Sequence, residues 1–347
     1  MGLVIHAPNV HMGGGLILLT AILESLDENF QGCLVLDERL DIPEKLPESI
    51  VIHSIRPTPL GRLVGEWHLR KWVSANDVAL CFGNVPPLFR LKGKVVVFLQ
   101  NRYYLDLKNL RGFSLFSQLK MIFERFWFVW GKKRVRQFIV QTPSMQRAIQ
   151  EHLGKPSMVF PFFKDPKGYK RSGAHYRVNE NIMYDFVYVA SGEPHKNHHR
   201  LIEAWILLAE EGLRPSICLT VPEERSPDLC AWIDAMSDLH NLRITNVGTI
   251  SYTEISLLYQ KTRAFIYPSI SESMGLPLIE ARCANLPILA PELDYVRDVI
   301  DPEYTFDPNS AVSIARAVKR FMGIPDPPLP LMDAKEYLKK VYDIEFA

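Results

Sequence analysis

Residues 267–290 read YPSISESMGLPLIEARCANLPILA, and their reading decides the fold. Just before them, 263–267 (RAFIY) is a short apolar run of strand formers, stopped by Pro268. Residues 269–275 are small and polar, with one glycine, and read as a loop. Pro277 suits the first position of a helix, because its missing N–H has no partner there in any case. That helix is expected to reach Ala284, with Asn285 as a left-handed cap and Pro287 blocking continuation. Residues 286–290 are then the next buried strand.

Two carboxylates, Glu272 and Glu280, lie in this unit with seven residues between them. Glu272 falls in the loop and Glu280 in the first turns of the helix. The N–H groups of Gly275 and Leu276, between them, have no intrahelical carbonyl to bond. That is an anion site flanked by two acceptor-only side chains. A diphosphate joined to two hydroxyl-bearing sugars fits it. The N–H groups take phosphate, one carboxylate takes ribose hydroxyls, and the other takes hydroxyls of the sugar being moved. A plainer reading stands beside this one: Glu280 only favours a helix start, and Glu272 is a solvated loop residue.

The whole run says more than its two glutamates. ESMGLPLIEA (272–281) follows a strand ending Tyr-Pro-Ser and precedes one opening Pro-Ile-Leu-Ala. It resembles the donor-sugar motif of the family-4 retaining glycosyltransferases. The resemblance implies an α/β chain of the GT-B fold, with two doubly wound Rossmann-like domains facing across a cleft. The activity implied is a retaining, metal-independent hexosyltransferase that moves a sugar from a UDP- or GDP-linked donor to an acceptor hydroxyl. The donor sits on the second domain, where Glu272, Ser273, Met274, Gly275, Leu276 and Glu280 bind it. No D-x-D occurs in the chain, so no metal and no cofactor beyond the nucleotide sugar is expected.

Working outward, 184–190 is a strand leading into SGEPHKNHHRLIEAW. Lys196 lies beside the helix that follows, as a phosphate ligand or as a solvated lysine. The resemblance assigns it to the donor diphosphate and makes Lys196 and Glu272 the catalytic pair. Ser191 stands on the donor side where many relatives have an Arg, which leaves one cation fewer for the diphosphate. His195, His198 and His199 cluster here, but adjacent positions at a helix start point apart, so zinc is not expected. Residues 216–221 and 242–247 are further strands. The second is followed by Gly248, Thr249 and Ile250, and the resemblance makes the backbone of Thr249 and Ile250 the reader of the nucleobase. Residues 291–300 open another helix and 311–322 are amphipathic.

Toward the N-terminus, 3–6 is a strand, 9–15 (NVHMGGG) a glycine-rich turn and 16–26 an apolar helix. Gly13, Gly14 and Gly15 let backbone approach a phosphate, or are simply a flexible turn; the resemblance aims them at the donor diphosphate. Strands at 32–37, 51–55, 79–82, 95–100 and 138–140, with helices such as 61–74 and one capped by Thr142, imply a parallel sheet covered on both faces. Ligands sit beyond the carboxyl ends of such strands, so Gln100, Asn101 and Arg102 line the acceptor side. Many relatives have a His near this point, and Gln100 departs from that.

Residues 110–136 differ from the rest. Seven basic residues and one acid, Glu124, accompany aromatics from Phe113 to Trp130. Two readings stand: a buried helix face with a solvated basic side, or a helix on an anionic membrane surface. The second also suits a polyprenyl-diphosphate-linked acceptor.

The boundaries expected are 1–165 for the acceptor-side domain, 166–182 for the linker, 183–325 for the nucleotide-sugar domain, and 326–347 for a bend and helix returning to the first domain. A chain of 347 residues with 47% hydrophobic content fills two such cores. A net charge of +1 argues against nucleic-acid binding. Five scattered cysteines without C-x-x-C suit a reducing compartment and give no zinc site. The first residues lack the basic region of a signal peptide, and no apolar run reaches the length of a spanning helix. The expected place is the cytoplasm, peripheral on the cytoplasmic face of a membrane, in polysaccharide biosynthesis. Two rivals remain: a sugar-nucleotide epimerase of the same form, which needs acid–base residues in the cleft, and a catalytically inactive nucleotide-sugar-binding subunit. A third rival, a dehydrogenase, needs G-x-G-x-x-G and a ribose acid about 20 residues on, and neither is present.

Overall fold

Short runs of β-branched and aromatic residues alternate with amphipathic segments along the chain, and each such strand pairs in parallel with its neighbours. The computed structural model describes residues 2–30, 32–43, 46, 47, 50–105, 115–163 and 182–325, with backbone alone at 115–117 and 120. The first sheet has seven strands: β1 (Leu3–Ala7), β2 (Gly32–Asp37), β3 (Val51–Ile55), β4 (Val78–Cys81), β5 (Lys94–Phe98), β6 (Gln137–Val140) and β7 (Ser157–Val159). Their spatial order is β3-β2-β1-β4-β5-β6-β7, parallel throughout. The second has six: β8 (Tyr184–Tyr188), β9 (Ile217–Leu219), β10 (Ile244–Asn246), β11 (Thr262–Ile266), β12 (Ile288–Pro291) and β13 (Tyr304–Phe306). Its order is β10-β9-β8-β11-β12-β13, also parallel.

Each sheet reverses its winding beside its first strand, between β1 and β4 and between β8 and β11. Loops leaving the carboxyl ends of strands at such a point diverge and leave a crevice. Helices α1 (Gly13–Glu24), α2 (Pro59–Trp72), α3 (Leu115–Gly131) and α4 (Pro143–Leu153) belong to the first sheet. With the second go α5 (His198–Glu210), α6 (Pro227–His240), α7 (Tyr252–Gln260), α8 (Leu276–Cys283), α9 (Asp294–Arg297) and α10 (Ala311–Phe321). Each domain has its own core. Ile5, Leu34, Leu36 and Leu19 are sealed in the first, and Phe186, Tyr188, Phe265, Ile266 and Trp205 in the second.

Several boundaries differ from the sequence reading. The helix expected from Leu16 begins at Gly13, so the three glycines are its first turn rather than a turn before it. Gly13 takes φ +66°, a conformation glycine adopts freely. The helix expected over 291–300 shrinks to the single turn of α9. The expected linker 166–182, Ile182 excepted, and the expected 326–347 bend and helix lie outside the described residues. Thr142 does cap α4, accepting from the N–H of Met145, and Asn285 takes the left-handed conformation after α8 at φ 57°. The reading of 110–136 as a buried helix face fails for α3. Among its described aromatics only Phe128 is fully buried, while Phe123 and Phe126 are 64% and 71% exposed.

Candidate active site

Between the two sheets lies a cleft of about 900 Å³. Every residue named above for the donor, the catalytic pair and the acceptor side lines it.

On the second domain, the turn after β8 and the loop after β11 are bonded to each other. The N–H of Ile270 donates to the carbonyl of His195 at 2.9 Å, and the Ser269 hydroxyl oxygen lies 3.0 Å from that carbonyl. Asn197, held at φ 64°, donates to the carbonyls of Pro268 and Pro308. This bracing brings Lys196 and Glu272 together across 76 residues of sequence: Lys196 Nζ donates to Glu272 Oε1 at 2.7 Å. Tyr267 and Ser269 donate to the same oxygen at 2.9 and 2.6 Å. Burial pushes the Glu272 carboxyl up, but the charges of Lys196 and His195 and the bonds from Lys196 and Ser269 outweigh it and hold the group below its ordinary range. Among the described residues no donor reaches Oε2.

Glu280 is the opposite case. It is buried on α8 and lines the cleft, yet no described residue donates to it. Burial alone pushes its carboxyl up to about 7. Between the two glutamates, Gly275 caps α8 at φ +71°, and the N–H groups of Gly275 and Leu276 have no acceptor among the described residues. The histidines separate as expected. His198 is buried against the carbonyl of Ser191 and pushed down to about 4, mainly by burial. His199 stacks on Trp232. No three His, Cys, Asp or Glu among the described residues are grouped as a metal site.

Gly248, Thr249 and Ile250 form the rim before α7, whose start is fixed by a capping box between Ser251 and Glu254. Arg225 lines the cleft nearby and makes no ion pair among the described residues. A Cβ on Gly192 would sit 2.2 Å from Ser226 Oγ, so the turn carrying Arg225 presses on the loop of Ser191. It is a cation beside the position where Ser191 supplies none.

The first-domain wall is built mainly from backbone and neutral amides, with His11 and Arg102 also in its lining. A Cβ on Gly14 would lie 3.3 Å from Leu276 Cδ1, so the first turn of α1 rests on the donor loop. The N–H groups of Gln100 and Asn101 both donate to Asn84 Oδ1, at 2.6 and 2.9 Å. Gln100 Nε2 donates to the carbonyl of Phe82. Among the described residues four polar side-chain contacts join the two domains, one of them from Asp298 Oδ2, which accepts from the Ser144 N–H at 2.8 Å. Tyr103 OH meets His195 Nδ1 at 2.8 Å, Thr142 Oγ1 donates to the carbonyl of Ser273 at 2.9 Å, and Arg147 pairs with Asp294.

Sequence reading missed Asn84, Tyr103, Arg225, Tyr267 and Ser269 as site residues. Tyr267 and Ser269 stood inside the quoted motif, and Tyr103 directly follows the acceptor trio. Asn84 and Arg225 carry no local signal, because only the folded sheets bring their loops to the cleft.

Known proteins match this arrangement. Residues 179–337 match the family model described as glycosyl transferases group 1. The O-antigen chain mannosyltransferase RfbU of Salmonella typhimurium is 23% identical over 289 residues, covering 80% of this chain and 76% of that protein. The O-antigen chain mannosyltransferase B of Escherichia coli is 28% identical over 131 residues, which is 37% of this chain and 34% of that protein. Among solved structures, Anabaena Alr3699/HepE in complex with UDP superposes with a TM-score of 0.67 at 16% identity, covering 93% of this chain and 90% of that one. An E. coli structure described as trehalose-6-phosphate bound with UDP-2-fluoro glucose gives 0.68 at 11% identity, covering 94% and 92%. The second half of the chain thus matches the group 1 glycosyl transferases, and two Rossmann-like sheets facing across a cleft give the whole chain the GT-B fold.

Proposed function

We propose that this glycosyltransferase moves a mannosyl-type sugar from a nucleotide-diphosphate donor to a hydroxyl of a lipid-linked saccharide, with retention and without a metal ion. The observation that carries the reading is Glu272. Three donors converge on its Oε1, which fixes the carboxylate as an anion and leaves Oε2 for hydroxyls of the moving sugar. Beside it, the free N–H groups of Gly275 and Leu276 meet the diphosphate. Lys196, with two N–H donors to spare beyond Glu272, faces the charge that grows as the diphosphate leaves. Glu280 takes ribose hydroxyls. The acceptor oxygen attacks C1 on the face from which the diphosphate departs, and its proton passes to the departing phosphate oxygen. No protein nucleophile is needed on the far side, and the neutral first-domain wall supplies none.

The sugar and the acceptor class come from the O-antigen mannosyltransferases named above, and a nucleotide donor is in keeping with the UDP in the superposable structures. The buried thiols of Cys33, Cys81, Cys218 and Cys230, in no disulfide, suit the reducing cytoplasm. The test is to offer GDP-mannose and the UDP-hexoses, with and without a polyprenyl-diphosphate-linked saccharide, and to follow donor consumption and the product's anomeric configuration. Transfer that needs acceptor, keeps the configuration and survives EDTA is expected. An inverted linkage, or activity lost in EDTA and restored by Mg²⁺, overturns retention or metal independence. Donor epimerised without acceptor favours the epimerase, and tight binding without turnover the inactive subunit.

A further inference from the structure

We infer that α2 and α3 together form a docking surface for an anionic lipid bilayer. The inference adds a partner to the proposed function without depending on it, because lipid binding and sugar transfer are measured separately.

A helix packed on a soluble domain turns its apolar stripe inward. α10 does so: Ile314, Ala315, Ala317 and Val318 are buried. α3 does the reverse. Leu119, Ile122, Phe123, Phe126, Val129 and Trp130 recur at helical spacing and are 42–71% exposed. On α2, Leu60, Leu63, Val64 and Trp67 lie at i, i+3, i+4 and i+7 and are 46–71% exposed, while its buried side carries Gly65, Glu66 and Leu69. The α2 stripe was not visible as a special segment in the sequence.

The two helices form one platform. The Arg62 guanidinium lies 5.3 Å over the Trp127 ring. Both helices grip the loop 86–89: Trp127 Nε1 donates to the carbonyl of Pro86, Glu66 accepts from the N–H of Leu88, and Trp67 packs edge-on against Phe89. Below this loop Glu66 is sealed against Arg62 and His6. The outward apolar stripes are therefore held by a buried polar network rather than by loose packing.

Charge selects the occupant. Arg70 sits 5.0 Å over Trp67, and Arg134 sits 4.0 Å over Trp130, so each of these exposed indoles carries a cation on its face. Lys71, Arg90, Lys133 and Arg136 are exposed around them. The acids of the two helices are Glu66, which is buried, and Glu124, which accepts from Tyr104 OH. Apolar stripes, indoles at the border and unopposed cations match the acyl–headgroup boundary of an anionic membrane. No helix among the described residues is long and apolar enough to cross a membrane, so the contact lies in the plane of the surface. The Tyr104–Glu124 bond ties α3 to the turn that begins at Arg102 on the acceptor wall, which sets that wall beside the lipid.

The experiment is co-sedimentation of the full chain with phosphatidylglycerol/phosphatidylcholine vesicles and with pure phosphatidylcholine vesicles. Binding to the anionic vesicles is expected to be at least tenfold the tighter at low salt and to weaken as salt rises. Phe123→Ser/Phe126→Ser, Trp67→Ser and Lys133→Gln/Arg136→Gln should each weaken it about tenfold or more, with nucleotide binding unchanged as the check on folding. Without any substitution, brominated lipid should quench tryptophan emission. The inference fails if the protein does not sediment with anionic vesicles at low salt, or if Trp67→Ser and the phenylalanine variant bind as the parent does. It fails equally if the parent forms a lipid-independent dimer that the phenylalanine variant abolishes, which gives this face to a second copy.

Discussion

On the second-domain wall of the cleft, Lys196 and Glu272 stand 2.7 Å apart with two further hydroxyls on the same carboxylate oxygen. On the first-domain wall, Gln100 and Asn101 hang from the neutral amide of Asn84, and Gln100 spends its Nε2 on a carbonyl. One wall is charged and braced by groups that depend on each other. The other is mostly glycine, amide and backbone, and its one lining arginine, Arg102, makes no ion pair among the described residues. Developing charge is strongly stabilised only where dipoles and ions are already fixed, so the proposed function puts the chemistry on the first of these walls and the placing of the acceptor on the second.

The largest expected effect removes the charged wall's cation. Lys196→Ala should lower kcat/KM by about a hundredfold or more, the scale of losing one fixed donor to transition-state charge. It also leaves buried Glu272 without its counter-ion. Gln100→Ala on the neutral wall should cost less than about tenfold, mostly in acceptor KM, since a neutral bond contributes roughly 1 kcal/mol. Steady-state kinetics on both variants decides the matter. Equal losses would erase the distinction between the walls.

A second prediction separates the two glutamates of the charged wall. Glu280 has no donor and a carboxyl near 7, so in the free protein it is largely protonated below that pH. If its anion takes ribose hydroxyls, nucleotide affinity should rise with pH, by up to about tenfold per unit below 7, and level off above. Glu280→Gln should flatten this profile. The sign for stability is opposite. The folded carboxyl titrates above its unfolded value, so the stability present below the unfolded pKa is lost as pH rises through about 7. Glu280→Gln should thus stabilise the nucleotide-free protein at pH 8 by about 1–3 kcal/mol. Calorimetric titration with the nucleotide across pH 5–9 measures the first effect and denaturant unfolding the second. A pH-independent affinity in the parent would take Glu280 out of the donor site.

Much of this was legible in the sequence, because the evidence for it is local. The strand–loop–helix order around 267–290, the parallel sheets and the residues of the donor loop follow from periodicity, glycine and proline placement and one motif. What was not legible is long-range or orientational. Asn84 meets Gln100 only because β4 and β5 are neighbours in the sheet. Glu272 and Glu280 look alike as letters, and only burial with and without donors drives their carboxyls apart. For α3 a stripe is visible in the sequence but its direction is not: an amphipathic period is the same whether the apolar side meets a core or water.

The smallest effect concerns the place where the two walls touch. Burial pushes the Tyr103 phenol up and the His195 imidazole down, so near neutral pH a protonated phenol faces a neutral ring. The phenol and Nδ1 are 2.8 Å apart, and Nε2 lies 3.9 Å from the Glu272 carboxylate, which favours the tautomer with the ring proton on Nε2 and the phenol as donor. The bond therefore joins the neutral wall to the charged wall and fixes one tautomer of the residue next to Lys196. Tyr103→Phe keeps the ring and its edge-on contact with His195 but removes this bond, at a cost of about 1 kcal/mol. Turnover with acceptor should fall about threefold to tenfold, while nucleotide binding to the separate second wall stays within about twofold. Nitrogen shifts of His195 add a readout that packing does not move: the parent should show one Nε2-protonated tautomer and the variant a mixture. A variant with reduced turnover and an unchanged tautomer would mean that Tyr103 acts on the acceptor alone. Nucleotide affinity falling in step with turnover would mean that the two walls are a single binding unit and that the contrast between them does not hold.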